Sequence, residues 1–353
     1  MKILYAIQGT GNGHLTRAME IIPYLQQHGE TDILISGTQS NIELGFPVKY
    51  RFNGLSFVFG KKGGVDLWST YLKMNSKQLL KEVKKLPVED YDLVISDFEP
   101  VSAWACKRAK KPCIGLSNQV ATLHPKAPRP KKIDLLGKMV LERYAPTTHN
   151  YGMHFQALDT TVYTPIIRKQ VRELKLSNEG HYTVYLPSYD NERIAKNLRR
   201  FKHIDWQVFS KHSTRKTIVD NVTFHPLDPE KFTRSMAAAE GVLCNAGFGT
   251  ASEALFMHKK LLVIPMKTQF EQYCNAAMLK KMGVAVIKKL KKKHAEKIQH
   301  WLDEEKAVKV NYPDLTKQMV ETIVRVHGNK AKTMNAPRTK SGLVDKGVAT
   351  HAA

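Results

Sequence analysis

The chain has 353 residues, 42% hydrophobic and 25% charged, a globular composition with room for two domains of ordinary size. Lys and Arg total 55 against 32 Asp and Glu, a formal net charge of +23 that favours anionic partners: nucleic acid, an anionic bilayer or phosphorylated substrates. No stretch approaches the roughly 18 apolar residues of a membrane span and no basic-then-apolar leader opens the chain; the four cysteines (Cys106, Cys113, Cys244, Cys274) lack metal-ligand spacing and read as buried small hydrophobes in a reducing cytoplasm.

The first strand, residues 3–7, runs into Gly9-Thr10-Gly11-Asn12-Gly13-His14, and a helix is expected over 15–27. A strand, a glycine turn and a helix N-terminus make a cradle for negative charge, because free N–H groups and the helix dipole point at one spot. Gly-x-Gly-x-Gly lacks the spacing of the dinucleotide fingerprint, and this turn alone leaves a dehydrogenase open. His14 sits where the helix begins, so its ring should face the ligand. A neutral imidazole there suits taking a proton from an acceptor hydroxyl; helix capping or a phosphate contact is the alternative.

Strands follow at 32–35, 93–96 and 113–116, with helices at 74–86 and 101–109. That alternation predicts a parallel sheet with right-handed crossovers. Asp97 ends its strand, where residues of a parallel sheet line the ligand crevice. It can orient His14 and stabilise the protonated ring, or simply cap the next helix. Residues 48–70, rich in Gly, Phe and Lys, fit no βα repeat and read as an excursion near the cleft. Asp97-Phe98-Glu99 resembles the acidic metal motif of metal-dependent sugar transferases, but nothing else resembles their fold. The basic loop Lys126-Ala127-Pro128-Arg129-Pro130-Lys131-Lys132 leads into an apolar-basic helix at 133–141. That combination suits an anionic bilayer, or else a solvated loop before a core helix. The lysine run at 288–293 reads as a wet face.

A domain switch is expected over 161–180, dividing the chain into 1–162 and 163–312. Strands are expected at 182–186, 206–209, 222–224, 241–244 and 261–264. Helices are expected at 194–198, 229–239, 250–256, 272–281 and 294–302. A final helix at 315–326 falls in a segment, 313–328, and residues 329–353 lack apolar periodicity and are expected to be disordered. The second glycine turn, Asn245-Ala246-Gly247-Phe248-Gly249-Thr250, follows strand 241–244 and can hold a diphosphate. Glu253, one helical turn on, can accept both hydroxyls of a ribose. Glu271 and Gln272 follow a strand and a proline turn and suit hydrogen bonding to sugar hydroxyls. Taken singly, each is also explained as a structural turn, a solvent-facing Glu or a polar helix start.

At this segment the chain resembles nucleotide-sugar glycosyltransferases of the GT-B fold. It is similar to the MurG-type N-acetylglucosaminyltransferase of peptidoglycan synthesis and to the UDP-glycosyltransferase family. The matching stretches are 9–17, 93–100 and 246–276. The resemblance implies an α/β fold of two Rossmann-like domains facing across a cleft, the last helix crossing back to the first domain. It implies that Gly247, Phe248, Gly249 and Thr250, with Gly11 and Gly13 opposite, hold the donor diphosphate. Glu253 would bind the ribose, Glu271 and Gln272 the donor sugar, and His225 and Leu227 the base. His14 would be the base, or a near-phosphate contact, with Asp97 its partner. Pro187-Ser188-Tyr189-Asp190 departs from the glycine- or serine-rich turn usual after the first strand of the second domain. Ser117-Asn118-Gln119 only loosely resembles an acceptor-side motif of the peptidoglycan enzyme.

The expectation is an inverting, metal-independent transferase with no cofactor. Its donor would be a nucleotide-diphosphate sugar, UDP-GlcNAc or another UDP-hexose, and its acceptor a hydroxyl, with a lipid or lipid-linked glycan suggested by charge. That places it in the cytoplasm, peripheral on the inner face of the membrane and serving cell-envelope glycan synthesis. A nucleotide-sugar 2-epimerase or hydrolase of the same fold is the nearest alternative; an epimerase needs further carboxylates around the sugar. A basic nucleic-acid-binding protein is the alternative of another class. No aromatic–basic interleaving or nucleic-acid motif accompanies the charge, so no nucleic-acid partner is expected.

Overall fold

A computed structural model describes residues 1–37, 43–55, 76–130 and 134–328. The outer part of the 48–70 excursion, residues 131–133 of the basic loop and the 329–353 tail lie outside the described residues.

Seven strands build the first sheet: β1 (Lys2–Gln8), β2 (Glu30–Ser36), β3 (Tyr50–Phe52), β4 (Leu93–Asp97), β5 (Ile114–Ser117), β6 (His149–Met153) and β7 (Val162–Tyr163). All pairings are parallel, in the order β3-β2-β1-β4-β5-β6-β7. β7 carries this sheet one residue past the expected boundary at 162. The second sheet contains β8 (Tyr182–Tyr185), β9 (Trp206–Ser210), β10 (Thr217–Val219), β11 (Val222–Pro226), β12 (Gly241–Asn245), β13 (Lys260–Ile264) and β14 (Ala285–Val286). Its order is β10-β11-β9-β8-β12-β13-β14, parallel except for the β10–β11 hairpin. In both sheets the order reverses beside the first strand, at β1/β4 and at β8/β12. Those are the switch points where doubly wound folds open a crevice.

The helices are α1 (Asn12–Gln26), α2 (Ser76–Lys85), α3 (Pro100–Ala109), α4 (Asn118–Thr122), α5 (Leu135–Arg143), α6 (Lys169–Arg172), α7 (Asn191–Leu198), α8 (Pro229–Ala238), α9 (Phe248–Phe256), α10 (Phe270–Lys281), α11 (Ala295–Asp303) and α12 (Thr316–Ile323). They cover both faces of each sheet, which is why the strands read as continuous apolar runs. In β1, Ile3, Tyr5 and Ile7 join one buried cluster while Leu4 and Ala6 join another on the opposite face. The first of these clusters continues into the second sheet through Val242, Cys244 and the α9 residues Ala251 and Ala254. A third, around Trp206 and Trp301, fills the outer side of the second sheet. All four cysteines are buried and free, as their sequence setting suggested.

The chain then crosses back. The Tyr312 hydroxyl donates to Phe155 O at 2.8 Å, Arg172 Nη1 donates to Tyr312 O at 2.9 Å, and α12 packs on α1. A π-helical turn, Val324–Gly328, ends beside Met1, with His327 bonded to the Tyr151 hydroxyl at 3.1 Å.

Candidate active site

Both glycine turns begin at switch points, and each feeds a helix whose first N–H groups carry no side-chain cap. On the first side Gly9 donates to Ser36 O at 2.6 Å, so close that a Cβ there would meet Ile35 Cγ2 at 2.9 Å. Gly11, at φ 93°, is the N-cap of α1 and takes a backbone conformation that side chains disfavour. Opposite, Gly247 is the N-cap of α9. Asn275 Nδ2 holds the turn by donating to Ala246 O at 3.1 Å. α3, α4, α5, α7 and α8 are capped by Glu99, Ser117, Asp134, Asp190 and Asp228, while α6, α10 and α11, like α1 and α9, have no side-chain cap. The Pro187–Asp190 turn is thus closed by its own Asp190, in keeping with its departure from a phosphate-binding pattern.

A cavity of about 300 Å³ lies between the two turns. From the first domain Gly11, Gly13, His14, Asn118 and Gln119 line it; from the second, Phe248, Gly249, Glu253, Glu271 and Gln272. Gly247 and Thr250 belong to the same turn but not to the cavity wall. His225 and Leu227 stand apart from the cavity as well. His225 Nε2 lies 2.6 Å from Gln207 Oε1, its ring stacks on Phe209 at 5.1 Å, and Leu227 is exposed.

Asp97 is fully buried behind His14. It does not cap α3; Glu99 does, accepting from the N–H groups of Val101 and Ser102, both at 2.6 Å. His14 Nδ1 is 2.9 Å from Asp97 Oδ1 and its Nε2 is 3.3 Å from Gln119 Nε2. Arg17 Nη2 also lies 3.0 Å from Nδ1, but its hydrogens are directed at the two Asp97 oxygens. Asp97 can only accept and Gln119 Nε2 can only donate, so these two partners place the proton on Nδ1, which donates to Asp97, and the lone pair on Nε2. Nε2 is the atom a general base needs.

Sequence reasoning gave Arg17 no role. Its Nη2 donates to both Asp97 oxygens, at 2.6 and 2.8 Å. Its position three residues after His14 puts both on one helix face, the signal that could have found it. Burial pushes the Asp97 carboxyl up, but Arg17 and then His14 outweigh it and hold it below the usual range. Arg168, from the connection between the sheets, was also missed. It grips Glu253 with two bonds, Nε to Oε1 at 2.6 Å and Nη2 to Oε2 at 2.8 Å, so the expected ribose ligand is already an ion pair. Nothing local signals it, because the partners lie 85 residues apart. Ser252 Oγ, buried at the cavity, has no protein partner.

Glu271 reaches across the cleft. Its Oε1 accepts from Asn118 Nδ2 at 2.7 Å and its Oε2 from Gln119 Nε2 at 3.1 Å. The carbonyl oxygen of Gln272 accepts from Met266 N at 2.9 Å, leaving its amide nitrogen for a ligand. Among the described residues no group of three or more His, Cys, Asp or Glu side chains is placed to hold a metal ion, and no helix is long and apolar enough to cross a membrane.

A protein-family model described as glycosyl transferase family 1 matches residues 1–305. Among solved structures, MurG of Acinetobacter baumannii is similar at TM-score 0.57 and 13% identity, covering 92% of this chain and 99% of that one. Phytolacca americana UGT2, in complex with UDP-2-fluoro-glucose and pterostilbene, is similar at TM-score 0.56 and 15% identity, covering 96% and 95%. The spinosyn forosaminyltransferase SpnP gives TM-score 0.55 and 12% identity, covering 96% of each chain. At such identities the likeness establishes the fold: two α/β domains in the GT-B arrangement. None of the curated proteins matches the chain.

Proposed function

The chain belongs to glycosyl transferase family 1, and on that premise we propose that it is an inverting, metal-independent transferase. It moves a sugar from a nucleotide-diphosphate donor, UDP-GlcNAc or another UDP-hexose, to an acceptor hydroxyl. The observation that carries this reading is the placement of the His14 Nε2 lone pair across one cavity from the uncapped start of α9.

In the proposed step the acceptor oxygen attacks the anomeric carbon from the His14 side. Its proton passes to Nε2, and the bond from that carbon to the diphosphate oxygen breaks on the opposite face. The imidazolium so formed is held by Asp97 through Nδ1–H. A base so placed supplies about 10²–10⁴ in rate. Charge growing on the departing diphosphate meets the N–H groups at the start of α9, fixed before the reaction begins. Phe248 and Gly249 line that position, and Arg168, ion-paired with Glu253, lines the same cavity. Glu253 would take the ribose, and Glu271 with Gln272 the transferred sugar. The preference for UDP rests on family likeness.

The acceptor belongs to the first domain, near His14. A lipid or lipid-linked acceptor at the inner face of the cytoplasmic membrane is supported by α5, where Leu135 and Met139 are exposed beside Lys138 and Arg143. Such a mix of apolar and basic side chains suits an anionic headgroup layer.

The test is a thermal-shift panel of UDP, GDP, dTDP and their sugars, run with EDTA on wild type and Glu253→Gln. The expected result is stabilisation by UDP and one UDP-sugar that survives EDTA and shrinks in the variant. A flat response to every nucleotide overturns the donor site, and a response abolished by EDTA overturns metal independence.

A further inference from the structure

Six side chains form a closed ring through the site. Asp97 accepts from His14, His14 Nε2 accepts from Gln119, and Gln119 donates to Glu271. Glu271 accepts from Asn118, Asn118 Oδ1 accepts from Arg17 at 3.2 Å, and Arg17 donates back to Asp97. Five of the six belong to the first domain. Glu271 alone comes from the second, and both of its oxygens are taken by amides from across the cleft.

Gln119 is the joint of this ring. Its two N–H groups serve two acceptors, the Nε2 lone pair of His14 at 3.3 Å and Glu271 Oε2 at 3.1 Å. Its own Oε1 is buried without a protein partner. The bond to the carboxylate is the charge-assisted and stronger one, so Glu271 decides where the amide sits. While it sits there, the lone pair that would remove an acceptor proton is occupied.

We propose that Gln119 is a positioning residue that masks the base until a donor sugar takes Glu271. The inference rests on the proposed function and adds its regulation. A sugar hydroxyl donating to Glu271 competes for the oxygen that anchors Gln119. The released amide swings away from Nε2, and its orphaned Oε1 gains a hydroxyl donor. His14 then faces the acceptor with its lone pair free. UDP alone, having no sugar at Glu271, leaves the mask in place. Donor therefore binds productively before acceptor, and the base is uncovered only when there is a sugar to transfer.

The experiment is nitrogen NMR of the full chain carrying ¹⁵N-histidine, with the His14 signals identified by their absence in His14→Gln. Probes are UDP, UDP-GlcNAc and UDP-glucose. In wild type the Nε2 signal is expected to move downfield with the sugar nucleotide that stabilises the protein, and to stay still with UDP. In Gln119→Ala the signal of the free protein is expected to start at the donor-bound wild-type position and not to move on adding donor. Glu271→Gln, which keeps the shape but weakens the anchor, is expected to move it partway in the same direction, and carries the comparison if Gln119→Ala does not fold. A sugar nucleotide that raises the melting temperature without moving His14 overturns the mask and leaves the proposed function standing. So does a response to UDP as large as the response to the sugar nucleotide. If no nucleotide binds, the proposed function fails. The free-protein comparison still decides the mask, which is overturned if His14 is unchanged in Gln119→Ala, or in Glu271→Gln when that variant carries the test.

Discussion

His154 should make this protein lose stability in mild acid. The residue follows β6 with only 1% of its surface exposed, neither ring nitrogen has a protein partner, and burial pushes its pKa down to about 4. The neighbouring Phe155 ring rests 5.1 Å from Phe248 at the second glycine turn, so the strain would fall where the two domains meet. The sign follows from proton uptake. Below about pH 6.5 the unfolded chain protonates this histidine, while the folded chain keeps it neutral until about pH 4. Stability from the neutral ring is thus complete above the unfolded pKa and is lost as pH falls between the two values. Integrated over that uptake, the loss is about 2 kcal/mol between about pH 7.5 and about pH 5. Urea unfolding followed by tryptophan fluorescence at both pH values, on wild type and His154→Leu, measures it. The other histidines contribute to both proteins and cancel in the difference, so the variant should be less acid-sensitive by about 2 kcal/mol. Parallel losses in the two proteins would refute the reasoning.

His14→Gln should retain nucleotide binding by calorimetry while the turnover of sugar transfer falls by about 10²–10⁴; an unchanged turnover would remove His14 from the chemistry. Arg168→Ala leaves Glu253 without the guanidinium that fixes it. UDP affinity should fall about tenfold if that pair presents Glu253 to the ribose. Tighter binding in the variant would instead mean that Arg168 competes with the ribose.

Much of the fold was legible because buried parallel strands read as apolar runs and the helices between them keep their period. β1, β4, β8 and β12 fall within a residue or so of expectation. The edge strands β3, β7, β10 and β14 have two or three residues each, too few for a pattern to show. At the site, local placement was legible and long-range pairing was not. The glycine turns, His14, Asp97 and Glu271 follow from their places at strand ends and helix starts. Glu271 meeting Asn118, 153 residues away, follows only from the facing of two domains. For His225, the Gln207 and Phe209 contacts depend on strand order, which the local sequence does not carry.

The return of the chain to its first domain means that the second is joined by two crossings, not one. The outgoing connection carries Arg172, the returning one carries Tyr312, and a hydrogen bond of 2.9 Å ties them together. A lobe hung on two bonded straps has a hinge axis, and it rotates about that line more readily than it twists or drifts. Each closure should bring Glu271 back to the same two amides on the opposite wall. Reproducible registry across the cleft then comes from the way the chain is threaded, together with the apolar cluster that continues from one sheet into the other.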